Sequence, residues 1–305
     1  MFAPAKVNLS LHIVGQRDDG YHLLDSLVMF ATIGDHLNIF DANTRSLTIE
    51  GPEAAGVPTD TKNSIMQAAE IFKTERGVAF LLAKHLPTAA GIGGGSADAA
   101  AALRGLLKHW FDIPLDDLLQ KALDPDRLDE DEIATVSAKL KSLGADLPVC
   151  LFSRTARMWG IGEQLSFLQN LPQVPVVLVN PRVPVSTPDV FARIAVKANP
   201  PMPDIIPSFE TVADFAAWLA EQRNDMQDAA IEVAPIITDV LAALAMAKGC
   251  HLARMSGSGA TCFGIYDTED AAQAQADVLS AQHPNWWIKP AILGNSAVGP
   301  KLATA

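Results

Sequence analysis

The chain has 305 residues, which at roughly 150 residues per domain makes two domains or one large one. Apolar residues are 49% and charged residues 19% of the sequence, a composition that excludes disorder over most of its length. The formal net charge of −12 excludes a broad nucleic-acid or anionic-membrane surface, so a phosphate ligand would have to be gripped locally, by oriented backbone amides or one or two lysines.

Residues 6–13 alternate polar Lys6, Asn8, Ser10 and His12 with apolar Val7, Leu9, Leu11 and Ile13, the period of a half-buried strand. The same alternation leaves no continuous apolar core for a signal peptide. A polar turn at 16–20 precedes short strands predicted at 23–30 and 36–50, the latter broken near 41–43. Helical spacing appears over 62–76, and 78–84 again reads as a strand. A glycine loop then feeds an alanine-rich helix with Ala99, Leu103, Leu106, Leu107 and Trp110 on one stripe. Residues 112–135, with an acidic stretch at 124–132, read as a solvated excursion without chemistry. A helix near 131–142 ends at Gly144, and an apolar strand is expected through Phe152.

The pattern loosens over 155–172, and the boundary between two units is placed near 155. The second unit reads as a strand at 174–179, helices around 208–222 and 235–248, and a strand, glycine turn and strand over 253–266. A helix at 269–282 and a final strand at 286–293 follow. This order indicates an α+β sandwich and not a doubly wound parallel sheet. The richest apolar stretch, 229–247, is broken by Glu232, Pro235 and Asp239, short of the roughly 18 apolar residues of a spanning helix. Cys150, Cys250 and Cys262 are an odd number without CxxC spacing, which suggests neither disulfides nor a cysteine zinc site; a reducing cytoplasm is expected.

The strongest chemical signal is Gly91-Ile92-Gly93-Gly94-Gly95-Ser96 directly before a helix. Glycines let backbone N–H groups converge, and a helix start adds unpaired donors and partial positive charge, so an anion should sit there. No lysine follows the glycines as in a Walker A loop, and no acidic residue ends a second strand as in a dinucleotide fold. Taken singly, Lys6 reads as a solvated lysine and Asp146 as a turn aspartate. Together with a phosphate loop, they are the parts that transfer of a phosphoryl group to a hydroxyl requires. Ser256-Gly257-Ser258-Gly259 is a second tight turn, either a plain hairpin or a set of amides aimed across a cleft. Tyr21-His22 is either an ordinary edge pair or a ring and a two-sided hydrogen-bonding group for a ligand. The histidines show no metal-ligand spacing, and Met29 and Met255 read as core filler.

Pro4-Ala5-Lys6-Val7-Asn8-Leu9, Gly20-Tyr21-His22, Pro87-Thr88-Ala89-Ala90-Gly91-Ile92-Gly93-Gly94-Gly95-Ser96-Ala97, Leu143-Gly144-Ala145-Asp146-Leu147-Pro148 and Ser256-Gly257-Ser258-Gly259-Ala260 occur in the order found in GHMP kinases, and the chain resembles that family over nearly its whole length. The resemblance implies a two-domain α+β fold, with a ribosomal-protein-S5-like ATP-binding and catalytic domain at 1–155 and a ferredoxin-like α/β sandwich domain at 156–305. Gly20-Tyr21-His22 and Gly144-Ala145-Asp146 narrow it to members that use ATP and Mg²⁺ to phosphorylate the tertiary C2 hydroxyl of a cytidine-diphosphate-linked methylerythritol.

By the same resemblance Asp146 would accept the hydroxyl proton, and Lys6 would keep that carboxylate charged and help neutralise the transferring group. Residues 87–97 would bind ATP, with Asn63 and Lys84 near the adenine and phosphates. Asn8 would orient the alcohol, His22 would read the cytosine edge, and Tyr21 with Phe191 of Thr187-Pro188-Asp189-Val190-Phe191 would sandwich the base. Gly257 and Ser258 join Thr187 on the substrate side. Ala97 stands where the family commonly has a second serine, so Ser96 alone must supply that hydroxyl. No carboxylate is an evident magnesium ligand, so the metal is expected to arrive on ATP, held mainly by phosphates and water. The expected partners are ATP and the small alcohol, with no nucleic acid or membrane, and the chain acts as a monomer or homodimer. The other readings are a sibling kinase of homoserine or mevalonate type and a non-catalytic nucleotide-binding protein.

Overall fold

A computed structural model of the chain describes residues 1–72, 74–112 and 143–294. The acidic stretch 124–132 and the helix expected at 131–142 lie outside the described residues.

One long strand, β3 (His22–Asp41), organises the N-terminal half. Along its length it pairs antiparallel with β1 (Phe2–Asn8), β2 (His12–Gln16), β5 (Val78–Ala83) and β6 (Ala156–Gly160). β4 (Arg45–Glu50) joins β5 in parallel, and β7 (Gln164–Phe167) extends β6 as a hairpin within the stretch where the sequence pattern loosened. The strands expected at 23–30 and 36–50 are therefore one strand to Asp41, a break, and β4. Pairing of Ala3 with Asp35 and Pro4 with Gly34 carries β3 through residues that local pattern leaves blank. The strand expected at 6–13 divides instead, because beyond Asn8 the backbone turns to other partners: Leu9 N–H donates to Leu27 O and Leu11 N–H to Arg223 O, each at 2.8 Å.

Helices α1 (Ser64–Glu70) and α2 (Gly94–Phe111) pack with this sheet. Asn63 starts α1, its Oδ1 accepting from Ile65 N–H at 2.9 Å, a cap that stabilises by about 1 kcal/mol. On α2, Ala99, Ala100, Ala101 and Ala102 are fully buried, and their small side chains let the helix lie close on β1 and β3. Residues 147–152 form helix α3 (Leu147–Phe152), not the expected strand. A short apolar run carries no periodicity that separates the two states; Pro148 in the first turn presets a helical φ and decides it.

In the C-terminal half β8 (Val174–Asn180), buried at every position, lies between β11 (Trp287–Gly294) and β10 (Cys262–Ile265), which pairs with β9 (Leu252–Met255). The helices are α4 (Thr187–Arg193), α5 (Val212–Ala220), α6 (Gln227–Val233), α7 (Ile236–Met246) and α8 (Glu269–Gln282). α5, α7 and α8 match expected helices, whereas α4 and α6, each under two turns and largely polar outside, left no periodic signal. β11 closes the fold by pairing Leu293 and Gly294 with Ala31 and Phe30 of β3. The sheet thus runs from β4 to β9 without a break, and one core cluster joins Val7 and Leu27 to Val176, Phe263 and Leu293. Met29 and Met255 are wholly buried in it and in its neighbour, as core filler should be.

Candidate active site

The glycine loop runs straight into α2. Gly93 takes the N-cap position in the left-handed region at φ +64° and brings no side chain to the helix start. No side chain therefore competes for the first-turn amides, which carry the roughly half positive charge of a helix N-terminus, the arrangement that binds phosphate. The second glycine turn closes over this loop. Ser256 Oγ donates to Gly91 O at 3.0 Å, and Thr261 N–H donates to Ala90 O at 3.1 Å. At Gly91 the approach is so tight that a methyl group would lie 2.5 Å from Ser256 O and 2.7 Å from both N and O of Gly259. Only glycine fits there.

Lys6 and Asp146 meet against the loop. A register shift between Pro4 and Lys6, the kind of irregularity that re-aims a side chain, precedes Lys6, whose N–H donates to Ile92 O at 3.0 Å. Lys6 Nζ lies 2.8 Å from Asp146 Oδ1. Lys6 is only 3% exposed, because β1 is buried on both faces; this corrects the reading of an isolated solvated lysine. A methyl group on Gly93 would stand 3.3 Å from Lys6 Cβ and 3.6 Å from Asp146 Oδ2. The carboxylate oxygen that Lys6 does not take thus faces the glycine loop. Ser96 Oγ lies close to Gly144, 3.1 Å from where a methyl group there would stand, so the loop helix and the approach to Asp146 are also in contact.

Lys84 spends its charge on protein. Its Nζ donates to Asp35 Oδ2 at 2.5 Å and Asp98 Oδ2 at 2.8 Å, and the residue is 2% exposed. Asp35 Oδ1 accepts from the N–H groups of His85 and Leu86 at 2.6 and 2.9 Å, whereas Asp98 Oδ1 is buried without a partner. Burial pushes Asp98 up to about 7; Lys84 pulls it down and Asp35 adds to the rise. For Lys84, burial works downward and the two carboxylates outweigh it, leaving the ammonium raised. The cluster underlies the loop, with Nζ 3.4 Å from a methyl group placed on Gly94. Neither aspartate gave a signal in the sequence, since Asp35 is 49 residues from Lys84 in the chain. Asn63, expected near the adenine, uses its amide to cap α1 and to donate to Pro58 O at 2.7 Å.

On the far side of the pair, Asn8 donates from its backbone N–H to Ser256 Oγ at 3.0 Å and from Nδ2 to Ser26 Oγ at 2.8 Å. Its Oδ1 is buried and unpartnered, 3.3 Å from where a methyl group on Gly257 would stand. The ring stacked on Phe191 is that of His22, with centroids 4.8 Å apart and planes 14° from parallel; Tyr21 is 61% exposed. Burial, followed by Lys197, lowers the His22 pKa and favours the neutral ring, and His22 Nε2 is buried without a partner. Thr187 and Ser258 share a hydroxyl hydrogen bond at 2.8 Å, which ties α4 to the second turn. Asn224, missed in the sequence, braces that turn from behind, donating to Met255 O at 2.8 Å and Gly257 O at 2.9 Å. Among the described residues, no group of three or more His, Cys, Asp or Glu could hold a metal ion.

Family models describe the same organisation: the GHMP kinases N-terminal domain matches residues 63–154 and the GHMP kinases C-terminal model residues 205–285. A 4-diphosphocytidyl-2-C-methyl-D-erythritol kinase of Roseobacter denitrificans is 49% identical over 297 residues, covering 97% of this chain and 94% of the relative. The chain belongs to the 4-diphosphocytidyl-2-C-methyl-D-erythritol kinase family of GHMP kinases. A second member of the family, from Dinoroseobacter shibae, is 51% identical over 292 residues, 96% of this chain and 94% of its own. A crystal structure of a 4-(cytidine 5'-diphospho)-2C-methyl-D-erythritol kinase superposes with a TM-score of 0.69 at 30% identity, covering 97% of this chain and 99% of that one. The fold expected for GHMP kinases, α+β with an N-terminal and a C-terminal unit, is the fold of this chain.

Proposed function

We infer that the chain transfers the γ-phosphoryl group of ATP to the C2 hydroxyl of 4-diphosphocytidyl-2-C-methyl-D-erythritol, giving the 2-phosphate and ADP on the way to isoprenoid precursors. The observation that carries the assignment of roles is the convergence at Gly93, where the start of α2, Lys6 and Asp146 Oδ2 come within contact of one point. Phosphoryl transfer needs little from the protein beyond placing donor and acceptor in line and balancing charge. The amides of residues 91–97 would hold the phosphates, with Pro87, Thr88, Ala89 and Ala90 leading the chain past the nucleotide.

Asp146 Oδ2 would take the proton of the attacking hydroxyl, while Lys6, bound to Oδ1, fixes the carboxylate and faces the transferring group. Asn8 Oδ1, lacking a protein donor, suits a substrate hydroxyl. Neutral His22 can both donate to and accept from a cytosine edge, and Phe191 offers its ring face. His22 occupies one face of Phe191, so Tyr21 and Phe191 would enclose the base across the other. Lys84 would act on the phosphates through the loop it supports, and Asn63 through α1. Mg²⁺ would enter on the triphosphate, with Ser96 the nearest hydroxyl of the loop helix. The division at 155 lies between the two family-model matches. A cytoplasmic site of action fits the three cysteines, all of which are free thiols.

Mass spectrometry of the product from ATP and the diphosphocytidyl alcohol tests the reaction. Asp146→Asn should lower kcat by about 10²–10⁴-fold, the usual contribution of a positioned base, and Lys6→Met should be similarly slow, with ATP affinity little changed in both. Normal turnover by either variant would remove the assigned roles.

A further inference from the structure

Arg104 lies on α2, ten residues beyond Gly94, about 15 Å along the helix at 1.5 Å per residue. It is 3% exposed. A buried guanidinium is ordinarily matched by a carboxylate; among the described residues none pairs with this one. Its donors go to main-chain carbonyls: Nη1 to Cys150 O at 2.8 Å and Leu151 O at 3.3 Å, and Nη2 to Phe2 O at 2.8 Å. Nε is buried with no partner. Burial lowers the group to about 10, which leaves it charged at neutral pH.

The position of those carbonyls matters. Cys150 and Leu151 lie in the last turn of α3, whose N-cap position Asp146 holds, and Phe2 opens the strand that carries Lys6. β1 and α3 are therefore tied to each other twice, by the Lys6–Asp146 pair at one end and by Arg104 at the other. The tie at the second end belongs to α2, the helix that the glycine loop begins. A planar fork with separated donors can bridge two elements in this way, whereas a lysine offers one compact point. We propose that Arg104 is a positioning residue for phosphoryl transfer, which locks the phosphate-loop helix, the lysine strand and the aspartate helix in one relative placement. It touches neither reactant and acts through the placement of Lys6 and Asp146. The proposal rests on the roles assigned above to that pair.

A displacement of about 1 Å at a reacting centre can cost 10²-fold in rate, so Arg104→Met and Arg104→Lys should lower kcat per folded molecule roughly 10–100-fold while KM for ATP and for the alcohol moves less than about threefold. The deciding readout is the same substitution in a background that carries both Lys6→Met and Asp146→Asn, followed with radiolabelled ATP. There neither side chain of the pair is left to be placed, and Arg104→Lys should change the residual rate less than about twofold. An equal loss in both backgrounds, or a folded Arg104 variant with unchanged kcat and only a lower thermal midpoint, would overturn the proposal. Asp146→Asn alone keeps the two readings apart: normal turnover by that variant refutes the assigned pair, whereas a slow Asp146→Asn combined with undiminished Arg104 effects refutes only the positioning role. If Arg104→Met does not fold, Arg104→Lys decides.

Discussion

Substituting Gly91 tests whether the two glycine turns form one structure. An alanine at Gly91 must hold φ +73°, the left-handed region that costs an L-residue about 1–2 kcal/mol. Its methyl group would also stand 2.5 Å from Ser256 O and 2.7 Å from N and O of Gly259. These are backbone atoms that cannot rotate aside, and forced overpacking of this kind costs about 1–3 kcal/mol more. Gly249 separates the two effects, since it holds φ +79° with nothing within 4 Å of the added carbon. Urea denaturation should show Gly249→Ala losing about 1–2 kcal/mol and Gly91→Ala about 2–5 kcal/mol. Calorimetric titration with ATP should show weaker binding for Gly91→Ala alone, because parting the turns moves the loop amides. Equal destabilisation of the two variants would mean that the turns do not press on each other, and the closed site described here would be wrong.

Two further predictions concern titratable groups. His22→Ala should raise KM for the cytidyl alcohol by roughly 5- to 150-fold, the equivalent of about 1–3 kcal/mol for a lost buried hydrogen bond, with ATP binding unchanged; equal losses for both ligands would contradict the base-reading role. Asp98, raised to about 7 chiefly by burial, is protonated in the folded chain and ionised in the unfolded chain between about pH 4 and 7. Folded Asp98 therefore holds its proton more tightly, and its contribution to stability falls as pH rises through that window. Relative to wild type, Asp98→Asn should lose less stability between pH 5 and 8 in urea titrations, and an identical pH slope would show that Asp98 is not the group responsible.

What could be read in the sequence is what sits close together along the chain. The glycine loop and the helix after it are contiguous, and backbone chemistry alone marks them, whereas Asp146 reads singly as a turn aspartate and gains a role only beside the loop and through the family resemblance. Lys6 was legible only by association, because alternation over residues 6–13 suggests one wet face, whereas β1 is covered on both sides by elements from distant parts of the chain. The same limit applies to Lys84: the family resemblance implies a position near the adenine and phosphates, and the carboxylates that occupy its ammonium come from β3 and α2. The pattern over 147–152 indicates a strand where α3 forms, because a six-residue apolar run looks the same as a strand or a buried helix. The local pattern breaks β3 near residues 31–35, where pairing with Ala3 and Pro4 sustains it, and pairing is invisible to a local pattern. The stack of His22 on Phe191 follows from tertiary packing that no spacing within Gly20-Tyr21-His22 encodes.

The charges around the loop constrain the form in which it can hold its ligand. Lys6 is matched by Asp146 and Lys84 by Asp35, with Asp98 as a second partner, so even with Asp98 protonated the two ammonium groups near the loop are already balanced by carboxylates among the described residues, in a chain of net charge −12. The helix start adds only about half a positive charge. A triphosphate placed there brings several negative charges that these side chains do not balance, so the balancing charge has to come with the nucleotide, as it does in the magnesium complex of ATP. Calorimetry without the alcohol should therefore find ATP binding at least about tenfold weaker when Mg²⁺ is chelated, a loss of roughly 1.4 kcal/mol. A loop built on free lysines would hold bare ATP as well as the magnesium complex. Equal affinities would show that Lys6 or Lys84 leaves its carboxylate to grip the phosphates, and that side chains, not backbone, carry the phosphate charge.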